Sequence, residues 1–148
     1  MTMRYLSGLT ACLVATGLVS TAAASSSAAP NPCKLVTAMD ARAVLGSAVG
    51  RGKLQSLGLY QSCTYTTKSF VTVTVQTRTL SKADFVKSAK ANPPPVKAVA
   101  GVGAPAYYAG GATLLVWRGG NEATFSVFGG GPGLAREVTL AKRVVRRI

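Results

Sequence analysis

The feature that most constrains this chain is a pair of cysteines, Cys33 and Cys63, lying behind an export signal. Met1 to Gly8 carries one charge, Arg4, and is followed by an apolar run from Leu9 to Val19. Ala22-Ala23-Ala24 then offers the small-residue pattern that signal peptidases cut. The apolar run is too short to span a bilayer stably. Residues 1–24 are therefore expected to be a cleaved signal peptide, with Ala29 as a second cleavage option, and the mature protein to be secreted and either extracellular or envelope associated. No transmembrane segment is expected after cleavage. Leu9-Thr10-Ala11-Cys12 fits the short lipoprotein pattern, but most of the apolar stretch lies behind Cys12 rather than ahead of it. Cys12 leaves with the signal, and an oxidising compartment then favours a Cys33–Cys63 disulfide. Closing a loop of about 30 residues stabilises a fold by about 3 to 4 kcal/mol on the chain-entropy account.

Residues 25–32 are rich in Ser, Ala and Pro and read as a flexible leader, leaving 33–148 as a single domain. Thr37 and Asp40 have capping-box spacing, so a helix is expected over Ala38 to Leu45, closed by Gly46. The stretch from Gly50 to Leu59 is ambiguous. Tyr60 to Thr66 alternates, with Cys63 and Tyr65 on one side, and Phe70 to Thr77 sets Val71, Val73 and Val75 against Thr72, Thr74 and Gln76. Such alternation predicts an antiparallel sheet with one solvated face. Ser81 and Asp84 open a helix over Lys82 to Ala91, ended by Asn92-Pro93-Pro94-Pro95. Thr113 to Arg118 and Glu122 to Phe128 predict a hairpin through Gly119-Gly120-Asn121. A last helix presents Leu134, Val138, Ala141, Val145 and Ile148 as its apolar stripe. The expected fold is α+β: an antiparallel sheet of about five to six strands, three helices covering one face, and one disulfide. The order leaves room for a strand-strand-strand-helix unit occurring twice.

Function is read chiefly by exclusion. Lys plus Arg number 17 against 4 acids, a formal charge of +13, and there is no His. General acid or base chemistry needs His or a tuned carboxylate. Of the acids, Asp40 and Asp84 sit at helix caps, Glu137 in a first helical turn, and Glu122 beside a hairpin turn. No catalytic residues, cofactor or metal are expected, since two cysteines without His do not complete a zinc site. Gly101-Val102-Gly103-Ala104-Pro105-Ala106 has dinucleotide-site spacing, but β-patterned sequence follows where a helix is required. Gly129 to Gly133 leads into a helix N-terminus and reads as a plain loop. On the last helix Arg136, Lys142, Arg143, Arg146 and Arg147 lie opposite or beside the apolar stripe, forming the candidate surface for an anion or protein partner.

The order of Cys33-x-Leu35-Val36-Thr37 before a helix closed by Leu45-Gly46 resembles a known family, as do Cys63-Thr64-Tyr65 and Val99-x-Gly101-Val102-Gly103-x-x-Ala106-Tyr107. The family comprises small secreted or lipoprotein domains of unknown function from actinobacteria, found in streptomycetes and mycobacteria. The resemblance covers most of Cys33 to Ile148 and implies an α+β sandwich with its first helix tied to the sheet, and no established activity. Ala104 stands where that family commonly has an acid, and the usual lipoprotein Cys is absent from its place. The expected function is a non-enzymatic exported binding module for an anionic envelope polymer or an acidic extracellular protein, with no specific nucleic-acid role. The alternative is an inhibitor of a secreted hydrolase, presenting Asn92 to Val96.

Overall fold

The computed structural model describes residues 28–91, 96–130 and 134–148. The expected signal peptide with Cys12, the first leader residues, Asn92 to Pro95 and Gly131 to Gly133 lie outside the described residues. In chain order the elements are α1 (Pro32–Leu35), α2 (Ala38–Leu45), β1 (Lys53–Leu57), β2 (Tyr60–Thr66), β3 (Thr72–Thr79), α3 (Lys82–Ala91), β4 (Lys97–Ala98), β5 (Ala106–Tyr108), β6 (Thr113–Arg118), β7 (Asn121–Phe128) and α4 (Leu134–Val144). A 3-10 turn, Val145–Arg147, continues α4. The strands form one sheet, order β1-β2-β3-β7-β6-β5-β4, with antiparallel pairing throughout.

The fold is α+β with one antiparallel sheet and a Cys33–Cys63 disulfide, as expected, but among the described residues it has 7 strands and four α-helices. The additions to the expected count include short pieces: β4 has 2 residues and α1 has 4. β1 emerges from the stretch that sequence alone left ambiguous. The end of the leader is tied to the domain, since Asn31 caps α1 and the Thr77 hydroxyl donates to the Pro30 carbonyl at 2.7 Å. Two three-stranded meanders, β1-β2-β3 and β5-β6-β7, meet at the β3–β7 pair.

One face of the sheet carries Cys63, Tyr65, Val73, Val75, Phe125 and Val127, and α1, α2 and α4 close over it. The capping box at Thr37 and Asp40 starts α2, and Gly46 ends it in the left-handed region. The Tyr65 hydroxyl donates to the Val36 carbonyl at 2.6 Å, and together with the disulfide this pins the α1 end of the helical layer to β2. Gly52 lies so close over that anchor that a Cβ would stand 2.7 Å from Tyr65 Cζ and 2.8 Å from Cys63 Sγ.

Helices do not cover one face alone. Leu115 on β6 points to the opposite side, where Phe85 and Ala89 of α3 pack against it with Tyr107 and Trp117 alongside. Alternation along β6 forces this: when Leu114 and Val116 enter the main core, Leu115 and Trp117 face outward and need their own cover. The Trp117 indole donates to the Leu80 carbonyl at 2.7 Å, fixing the entrance to α3.

The stripe of α4 is also turned from its expected position. Glu137, Leu140, Ala141, Val144 and Val145 are buried, whereas Leu134 is exposed and Val138 and Ile148 are half-buried. The apolar arc is broad enough to include Leu140 and Val144, and the Glu137 carboxylate sets the rotation by accepting the Val127 N–H at 3.1 Å. Thus Glu137, read as an ordinary first-turn acid, is a core residue.

Candidate functional site

The five cations proposed on the last helix share a region of surface but differ in what they are free to do. Arg136 donates to the Gly129 carbonyl at 3.1 Å and lies against Gly130, where a Cβ would meet its Nη1 at 2.8 Å. Lys142 is exposed and stands over Gly101. Arg147 Nη1 donates to Asp40 Oδ2 at 2.7 Å and to the Leu35 carbonyl at 2.9 Å. Arg143 Nε lies 3.5 Å from Asp40 Oδ1. Arg146 is exposed and forms no hydrogen bond or ion pair among the described residues.

Asp40 therefore does two jobs. Its carboxylate accepts the Thr37 N–H at 3.1 Å and the Thr37 hydroxyl at 2.8 Å, and it also receives two arginines from the far end of the chain. Burial pushes its pKa up, but the hydrogen bonds from Arg147 and Thr37, with the Arg147 charge, outweigh that and hold it below the ordinary carboxylate value. The arginines keep nearly half their side-chain surface, 46% and 44%, while Asp40 keeps 3%. They can still meet a ligand, though with part of their charge already balanced.

The remaining acids are equally committed. Glu122, expected beside the turn, lies within β7, is buried, and accepts from Arg78 at 2.7 Å. Arg78 also donates to Ser88 of α3 at 3.3 Å and stacks over the Tyr60 ring at 4.8 Å. Sequence alternation places Arg78 beside Thr74 and Gln76, but only the β3–β7 register brings Glu122 opposite it. Ser81 caps α3 by accepting the Asp84 N–H at 3.1 Å, and the Asp84 carboxylate accepts the Ser81 hydroxyl in return at 2.6 Å. Glu137 Oε2 has no partner among the described residues, and burial raises the pKa of this carboxyl above the usual value.

The carboxylates are thus engaged in helix caps, ion pairs and a buried backbone contact, and among the described residues no group of three His, Cys, Asp or Glu side chains could hold a metal ion. What the geometry offers chemically is recognition by fixed positive charge and hydroxyl groups. The Asn92–Val96 segment of the inhibitor alternative lies outside the described residues except for Val96. Comparison with family models, curated proteins and solved structures finds no match, so functional inference rests on the residues themselves.

Proposed function

We propose that this chain is an exported, non-enzymatic module that binds a polyanion, such as an acidic polymer of the cell envelope. One observation carries the reading: positive and negative side chains are segregated. Asp40, Glu122 and Glu137 are buried, which leaves Asp84 as the exposed side-chain acid against a large excess of surface Lys and Arg. A folded surface of this kind attracts anions over distances comparable to the Debye length.

On α4, Lys142 and Arg146 supply full charge, Arg143 and Arg147 supply partly balanced charge, and Arg136 is held against the Gly129 loop. The disulfide supports export, since such bonds persist where thiols are not kept reduced. Secretion after cleavage at Ala24 and membership among the small actinobacterial exported domains remain part of this same proposal.

Co-sedimentation with purified cell walls tests it. Bound protein is expected to fall at least roughly tenfold between about 50 mM and about 500 mM salt, because each released counterion steepens the dependence. Lys142→Gln with Arg146→Gln is expected to weaken binding at low salt. Association indifferent to both salt and these substitutions would defeat the proposal.

A further inference from the structure

The sheet face opposite α1, α2 and α4 is covered by α3 over β6, and α3 also reaches β3, where Arg78 donates to Ser88; at the other end of this face Lys53 is exposed and Thr64 and Thr74 are half-buried. Register aligns the side chains there. Lys53, Thr64, Thr74, Ser126 and Thr113 form one row across β1, β2, β3, β7 and β6. Five strands at ordinary spacing make that row about 19 Å long. Its hydroxyls already pair along the row, with Thr64 and Thr74 oxygens 3.3 Å apart and those of Thr113 and Ser126 3.2 Å apart. A hydroxyl both donates and accepts, so the row can re-pair with the hydroxyls of a sugar without leaving an unmatched donor.

The edge of this row is strongly positive. Val49 pairs with Thr67 and Lys53 with Thr64, so four steps on one strand oppose three on the other, a one-residue β-bulge containing Arg51. Bulges at sheet edges re-aim side chains. Two adjoining hollows of 520 and 320 Å³ open at this bulge and share Gly50 and Thr66. Arg51, Lys53 and Thr64 line the first, and Lys68 and Thr67 the second. No ion pair engages Arg51, Lys53 or Lys68 among the described residues, and the four acids of the chain are all committed elsewhere.

An apolar contact completes the edge. Lys68, Ser69 and Phe70 form the β2–β3 turn, closed by the Phe70 N–H donating to the Thr67 carbonyl at 3.1 Å. Phe70 occupies the left-handed region at φ 62°, a position that normally falls to Gly or Asn, and its ring is 85% exposed. Phe128, also exposed, pairs with Thr72 on the row next to the hydroxyls. Exposed aromatic rings beside a polar row suit the apolar face of a pyranose, and cations beside hydroxyls suit an acidic sugar rather than a bare phosphate chain.

We infer that this open sheet face is a binding site for an acidic polysaccharide strand. Its carboxylate or phosphate groups sit in the Arg51–Lys53–Lys68 hollows, and its hydroxyls lie along the Lys53–Thr64–Thr74 end of the row, since Ser126 is buried. The inference rests on the polyanion proposal and adds a second site and a chemical class to it.

The experiment is calorimetric titration of the intact mature protein with three probes: an oligogalacturonate, the matching neutral oligogalactoside, and a polyphosphate of equal charge. The acidic oligosaccharide is expected to bind tighter than either control. Replacing Arg51, Lys53 and Lys68 together by Gln should cost it at least roughly tenfold in affinity. The Thr64→Val/Thr74→Val pair, which keeps β-branched shape, should cost about three- to tenfold. The Lys142→Gln/Arg146→Gln variant should cost oligogalacturonate less affinity than the Arg51/Lys53/Lys68 variant does. Unfolding midpoints of the variants, measured alongside, separate lost binding from lost fold, and an amide-shift map on the wild type needs no variant at all.

Equal affinity for polyphosphate with no effect of the threonine pair would overturn the polysaccharide inference and leave the polyanion proposal standing. Loss of binding in the α4 variant but not in the Arg51/Lys53/Lys68 variant would also overturn it. Failure to bind either polyanion would remove both.

Discussion

The two faces of the sheet are built from the same strands and treated in opposite ways. On the covered face Val73, Val75, Phe125 and Val127 meet three helices and are removed from water. On the other face their sequence neighbours Thr72, Thr74 and Gln76 are half-buried and meet solvent, with Thr74 paired to Thr64. A strand that sets Val71, Val73 and Val75 against Thr72, Thr74 and Gln76 is committed to this division, because a one-residue slip would expose the valines and bury the polar side chains. The covered face therefore holds the stability, and the open face is free to be chosen for binding. The acids follow the same division of labour: Asp40 and Glu137 lie within the helical layer, where they fix α2 and α4.

The sharpest way to break this comparison is to cut the covered face. Phe125→Ala is expected to destabilise by about 3 to 5 kcal/mol in urea unfolding, through lost transfer energy and a cavity. Thr74→Val on the open face should change stability by less than about 1 kcal/mol. Comparable losses at both positions would refute the division. Next in size, replacing Cys33 and Cys63 by Ser should cost about 3 to 4 kcal/mol, because the denatured chain regains its loop entropy.

A smaller effect probes the clamp at the edge of the helical layer. Asp40→Ala removes the α2 capping box and the acceptor of Arg147 and Arg143, and should cost about 2 to 3 kcal/mol. The pH dependence carries a sign that distinguishes two of the buried acids, Asp40 and Glu137. The folded pKa of Asp40 lies below its ordinary 3.8, so its stabilising contribution is present above that value and is lost as pH falls through the folded pKa. The folded pKa of Glu137 lies above its ordinary 4.5, so its contribution is present at lower pH and is lost as pH rises through the folded value. Asp40→Asn should flatten the acid limb of stability, whereas Glu137→Gln should gain on the wild type as pH rises from 4.5. A wild-type advantage over Glu137→Gln that widens on going from acid to neutral pH would contradict this assignment.

Sequence made much of the scaffold legible. The α2 cap at Thr37, the helix over Lys82–Ala91, the strand over Thr113–Arg118 and the Cys33–Cys63 pairing all follow from local patterns that tertiary contacts reinforce. Long-range relations escaped it. Glu122 opposite Arg78 needs the β3–β7 register, and Asp40 beneath Arg147 joins the two ends of the domain. Leu115 and Trp117 carried a usable signal for a second cover, because alternation on β6 placed large side chains on both faces. The candidate site was legible as charge on α4. The two hollows at Arg51, Lys53 and Lys68 were not, because a bulge assembles them from a stretch with no regular period.

The central claim is that the open face, freed from packing, recognises an acidic polymer. Amide chemical shifts of the labelled mature protein titrated with oligogalacturonate at low salt test it most directly. Shifts concentrated on Lys53, Thr64, Thr66 and Thr74, reversed by added salt, are the predicted result. Saturating shifts confined to α4, or to the covered side of the sheet, would contradict it.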